Sequence, residues 1–247
     1  MNRRCLFLAI TLAVIVAGVG ASDSCAGSVP LPTTLDKLLP TDSFATVAGS
    51  NETDTYSQFR FSASVIPPGT PTVDASEVTV SAFGLGKKES GLEFSAAMFA
   101  PAGTTVDYSI SYVVTASARS LLTDAFLGVT YNLPTNSTGT ISVGESLFNN
   151  STQAGIGSLT LSDPPGSPVS DTISFAGVQS ILVKKDILIH GGSGGAGISI
   201  IDQGFSSAGV TRSIPEPSSL VLLGIGMSGF LAFRRFSRKS TVCSRRS

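Results

Sequence analysis

The 247-residue chain contains no tryptophan, one histidine and three cysteines, and only 13% of its residues are charged. Each shortage excludes something. With His190 as the sole histidine, a Ser-His-Asp hydrolase has one base to draw on, and a zinc site lacks the companion ligands it needs. Cys5, Cys25 and Cys243 all lie towards the ends, so residues 27–213 form no disulfide and must be held by apolar burial. Low charge beside 42% hydrophobic residues excludes a disordered polyelectrolyte. Without tryptophan, the best stacking surface for a sugar ring is missing.

Two long apolar runs are present, one near each end. Residues 6–20 read LFLAITLAVIVAGVG behind Arg3 and Arg4 and end in small residues up to Ala21. This is the n-region, h-region and cleavage pattern of a secretory signal peptide, covering residues 1–21 and cut by signal peptidase after Ala21. The alternative cut falls after Ala26. Lipidation at Cys25 is disfavoured, because Ser22, Asp23 and Ser24 replace the apolar and small residues that usually precede a lipidated cysteine.

Near the other end, Leu220 opens and Phe233 closes an uncharged run, residues 220–233, LVLLGIGMSGFLAF. As a helix it spans about 21 Å, short of a hydrocarbon core of about 30 Å. The basic cluster behind it (Arg234, Arg235, Arg238 and Lys239) favours a stop-transfer helix over a buried one, because the positive-inside bias holds such a cluster in the cytoplasm. Immediately before the run stands Pro215-Glu216-Pro217.

Tripeptide, glycine-containing apolar helix and arginine cluster, in that order over residues 214–239, resemble the PEP-CTERM sorting domain of exported bacterial proteins. The resemblance implies recognition and processing by an exosortase-like membrane peptidase, transient membrane association, and a final place at the cell surface or in the extracellular matrix. The segment 240–247 extends past the point where such tails usually stop.

The intervening body has its own charge. Residues 27–214 carry eight basic and 15 acidic residues, net −7, which argues against nucleic acid as a partner. Its periodicity is two rather than 3.6. Val106, Tyr108, Ile110, Tyr112 and Val114 alternate with Asp107, Ser109 and Ser111; Phe59 and Phe61 flank Arg60; Ile173 and Phe175 flank Ser174. Strands are also expected over 77–83, 92–99, 126–131, 139–143, 156–161, 180–189 and 198–205, separated by Pro- and Gly-rich turns. Helix-like stretches are confined to 35–39 and 117–124. The fold class expected is an all-β antiparallel sandwich of the jelly-roll or Ig-like kind.

Candidate chemistry in the body is sparse. Residues 192–197 spell G-x-G-x-x-G, but the strand-like ISII that follows argues for a flexible loop between strands rather than a dinucleotide site. Glu89 with Glu93, Asp74 with Glu77, and Asp163 with Asp171 are the carboxylate pairs near in sequence that a glycosidase could use. No calcium-loop spacing surrounds Asn51, Glu52 and Asp54. Asn51, Asn136, Asn149 and Asn150 open N-x-S/T triplets and mark exposed loops. Tyr56 and Tyr131 are the platform candidates for an extracellular polysaccharide, with Tyr108 and Tyr112 expected to be buried. Lys184 and Lys185 read as charges guarding an edge strand. No cofactor and no metal is expected. The reading is a non-catalytic exported surface or matrix protein, with a polysaccharide-binding module and a secreted polysaccharide hydrolase as alternatives.

Overall fold

The computed structural model describes residues 27–49, 53–84, 89–162 and 169–209. The expected signal peptide with Ala21, the Pro215-Glu216-Pro217 motif, the run from Leu220 to Phe233 and its basic cluster all lie outside the described residues. So do Asn51, Glu52 and Asp163.

Alternation of apolar and polar residues builds two facing sheets. The strands are β1 (Gly27–Ser28), β2 (Thr33–Thr34), β3 (Ser43–Ala48), β4 (Thr53–Ile66), β5 (Thr79–Phe83), β6 (Glu89–Ala100) and β7 (Thr105–Thr115). They continue with β8 (Ser120–Asn132), β9 (Thr140–Asn149), β10 (Gly155–Ser162), β11 (Ser170–Val178), β12 (Ser180–His190) and β13 (Ala196–Gly209). A seven-stranded sheet runs β1-β3-β4-β7-β12-β9-β10 and a six-stranded sheet runs β11-β8-β13-β6-β5-β2. Every pairing is antiparallel except the short one between β1 and β3. The structure is therefore the expected two-sheet sandwich.

Side chains of period two from both sheets meet in one core. From β7 come Val106, Tyr108, Ile110, Tyr112 and Val114, all buried, so Tyr108 and Tyr112 lie where the alternation put them. Tyr112 is the hub: its ring centroid is 5.3 Å from Phe59, 5.9 Å from Phe94 and 6.1 Å from Tyr56. Such aromatic pairs contribute about 0.5–1.5 kcal/mol each beyond the area they bury.

Three expectations are corrected. Tyr56 is fully buried rather than a surface platform. Its strand bulges at Gln58, which takes φ 57°, and the pairing with β7 slips between Ser57 and Arg60. One extra residue turns Tyr56 inward beside Phe59, although the two are three apart in a strand. Residues 117–124 form no helix: Ser120 N–H closes a turn on Ser117 O at 3.1 Å and β8 begins there. Lys184 and Lys185 guard no edge, because β12 is paired along its length with both β7 and β9. The expected helix-like stretch at 35–39 contains a single 3-10 turn, Leu35–Lys37.

Candidate functional site

The register of the seven-stranded sheet lays its outward side chains in rows. Arg60, Ser111, Lys184, Ser146 and Ser158 occupy successive strands from β4 to β10. The next row is Ser62, Ser109, Asp186, Gly144 and Thr160, and the next Ser64, Asp107, Leu188, Ser142 and Ser162. This is a hydroxyl-lined shelf. At its centre Gly144, which presents no side chain opposite Asp186, helps open a groove of about 310 Å3 bordered by Ser109, Ser146, Phe148, Thr160 and Lys184. Lys184 Nζ sits 5.1 Å from the centroid of the Phe148 ring, a cation–π geometry. Thr160 N–H donates to Asp171 Oδ2 at 3.1 Å, which ties the groove's rim to β11.

Asp107 and Asp186 are brought together on this face although they are 79 positions apart in the sequence. Partial burial raises the Asp107 carboxyl above the usual range, and the hydrogen bond and charge of Asp186 raise it further. The six-stranded sheet carries a second acidic pair on its outer face, Glu93 cross-strand from Asp202. Burial, then the Glu93 charge, raises Asp202, while Glu93 Oε1 accepts from Ser95 Oγ at 2.9 Å and Ser81 Oγ at 3.3 Å.

Under the shelf lies a polar cluster inside the core. Lys185 on β12 is the cross-strand neighbour of Glu145 on β9, and the two form a fully buried ion pair. Lys185 Nζ also contacts Oε1 of Gln203, which reaches in from β13 of the opposite sheet and is itself 0% exposed. Burial pushes the Glu145 carboxyl up, against the opposing pull of Lys185 and of a hydrogen bond with Gln203. Burial pushes the Lys185 amine down, against the pull of Glu145. Glu145 Oε1 has no hydrogen-bond partner.

The residues singled out in the sequence fall elsewhere. Glu93 faces Asp202 rather than making a pair with Glu89. Glu77 Oε2 accepts the Asp74 N–H at 2.9 Å across a 3-10 turn, a capping interaction. Asp171 is held by backbone donors. His190 is exposed at the end of β12 with Nδ1 at 2.9 Å from Thr105 Oγ1. The glycine-rich segment joins β12 to β13 across the two sheets, as a loop should, and it is packed: Gly103 N–H donates to Gly192 O at 2.7 Å and Ser137 Oγ to Gly195 O at 2.8 Å. Residues 191–195 also spell G-x-S-x-G, but a nucleophile elbow turns from strand into helix, and here a strand follows with Ser193 engaged by Thr138. Tyr131 is half-buried against the core. Among the described residues there is no group of three or more His, Cys, Asp or Glu that could hold a metal ion, and no helix is long and apolar enough to cross a membrane.

The Lys185 cluster had a visible signal. Lys185 interrupts the inward series Ile181, Val183, Ile187, Ile189, and Glu145 interrupts Ile141, Val143, Leu147. A charge in the apolar phase of each of two strands is the mark of a buried pair.

Comparison with known proteins identifies one segment. Residues 213–239 match the PEP-CTERM protein-sorting motif, so the chain is a PEP-CTERM domain-containing protein. That motif implies an exported protein that passes through a membrane-anchored precursor and is sorted by an exosortase. No curated protein matches the chain. Several solved structures resemble parts of it, two of them as follows. One is the enzymatically active domain of bacteriophage CBA120 tailspike protein 4, at 13% identity and TM-score 0.27, covering 60% of this chain and 19% of that one. The other is TmCBM61 in complex with beta-1,4-galactotriose, at 12% identity and TM-score 0.27, covering 61% of this chain and 88% of that one. Likenesses this slight carry no argument about the body.

Proposed function

We propose that this PEP-CTERM domain-containing protein is a non-catalytic, exported component of the cell surface or extracellular matrix. A signal peptide ending at Ala21 directs export, and the helix from Leu220 to Phe233 holds the precursor in the membrane with Arg234, Arg235, Arg238 and Lys239 on the cytoplasmic side. An exosortase-like peptidase then cuts near Pro215-Glu216-Pro217 and releases the sandwich. The observation that carries this reading is the sorting motif at residues 213–239, directly behind a sandwich whose last described strand ends at Gly209. The test is fractionation of cells with and without the peptidase: the protein should remain membrane-bound only where the peptidase is missing. A cytoplasmic full-length chain in both strains would refute it.

A second reading, extracellular polysaccharide binding, is favoured by the groove on the seven-stranded sheet. Ser109, Ser146 and Thr160 supply hydroxyls to a polyhydroxylated chain, and Phe148 under Lys184 supplies an apolar face. Tyr131 and Tyr56 have no part in this version. Retention of the exported protein on the polysaccharide of its own cells should fall at least several-fold in Phe148→Ala with Lys184→Ala; unchanged retention would remove the reading.

A further inference from the structure

The core of this sandwich holds three groups that no packing argument requires. An amine, a carboxyl and a primary amide meet at Lys185, Glu145 and Gln203, all of them 0–2% exposed. Their surroundings are apolar: Ile110 is cross-strand from Lys185, Leu92 and Leu127 flank Gln203, and Val143 and Leu147 flank Glu145. The Tyr112 hydroxyl lies near Glu145 but makes no hydrogen bond to the cluster, so a salt bridge here gains little over its desolvation cost. The same surroundings suit a covalent reaction. A desolvated lysine is a nucleophile, and a desolvated carboxyl beside it can carry protons to and from it.

We propose that Lys185 and Gln203 are joined by an intramolecular amide bond, formed without any other enzyme and with Glu145 carrying the protons. The lone pair of the neutral Lys185 Nζ attacks Cδ of Gln203 while the Glu145 acid hydrogen-bonds the developing oxyanion at Oε1. Glu145 accepts a proton from the attacking nitrogen and delivers it to Nε2. The Cδ–Nε2 bond breaks, ammonia leaves, and the Cδ–Nζ bond remains; Glu145 ends as it began. The step requires no oxidant and no cofactor. Geometry assigns the roles. Lys185 Nζ contacts both partners, and Gln203 carries a leaving group that departs as ammonia, whereas Glu145 with its unpartnered Oε1 is free to relay a proton. Because β12 belongs to one sheet and β13 to the other, the bond staples the two layers of a body that has no cysteine to do so.

Mass spectrometry of the purified exported protein after trypsin digestion tests this. Residues 120–184 contain no lysine or arginine before Lys184, and the next basic residue after Lys185 is Arg212. The expected product is a peptide of residues 185–212, uncut after Lys185 and lighter by one ammonia, whose fragment spectra join Lys185 to Gln203. Cleavage after Lys185 with an unmodified mass overturns the proposal. So does loss of one water linking residues 120–184 to 185–212, which would mean that Glu145 is the acyl donor. In Glu145→Gln the link should be absent from chain that is folded by circular dichroism; a link formed at the wild-type level would overturn the role given to Glu145. The wild-type digest decides the bond itself even where the variant does not fold.

Discussion

The rings of Phe83 and Phe126 stack 5.8 Å apart and 2° from parallel on the outer face of the six-stranded sheet, although their backbones belong to β5 and β8 with two strands between. They meet because the intervening positions are glycines: Gly91 is cross-strand from Phe83, Gly204 from Phe126, and the glycines from each other. At about 4.8 Å per strand the two backbones are about 14 Å apart, a gap that two inward-leaning rings close only over a bare floor.

The two glycines are not equivalent, and this gives a stability prediction. A methyl at Gly204 meets Phe83, Glu89 and Phe126 side chains at 3.4–3.6 Å, ordinary contact distances. A methyl at Gly91 would stand 1.8 Å from the Gln203 carbonyl oxygen. Gly204→Ala should stay within about 1 kcal/mol of wild type, whereas Gly91→Ala should cost about 3 kcal/mol or more, because backbone must move. Thermal unfolding of the two variants checks the ranking; equal midpoints would contradict it.

Tyr112 predicts a contrast of another kind. Its ring packs against Phe59 and Phe94, but its hydroxyl is buried with no hydrogen-bond partner, and burial with the nearby Glu145 charge raises its pKa well above the ordinary value. Tyr112→Phe should therefore be neutral or stabilising by about 1 kcal/mol, while Tyr112→Ala should cost about 3–5 kcal/mol. Denaturant titrations of both variants measure this.

Asp107 predicts a pH dependence. Its folded pKa is raised, so its contribution is fully present when the carboxyl is protonated in both states and is lost as pH rises from the ordinary carboxyl range through the raised value. Asp107→Asn removes that loss. The unfolding midpoint of the variant relative to wild type should climb between about pH 3 and pH 7. A difference that stays constant or falls over that interval would contradict the assignment. Asp186→Asn should flatten part of the same slope, since Asp186 supplies the second and third causes of the shift.

The body's sheets were legible because alternation is local: the run from Val106 to Val114 declares its inward face without knowledge of any partner. Tyr56 was not, because a single extra residue at Gln58 reverses the phase of everything before it. Nearness in sequence, which offered Glu89 with Glu93, failed for the opposite reason. Sheet register joins Asp107 to Asp186 and Glu93 to Asp202, pairs formed by strands distant in the chain. Lys185 lay between these cases: its wrong phase within an apolar strand was readable, but Glu145 and Gln203 are 40 and 18 residues away. The tail was the most legible part, since a sorting signal is read as a linear string.

The most direct test of the account is mass spectrometry of the mature C-terminus of the protein recovered from outside the cell. Export followed by processing at the tail predicts a chain that ends near Pro217 and lacks residues 220–233, with the tail retained in cells deprived of the peptidase. Recovery of the intact tail on protein released from cells with an active peptidase would contradict it.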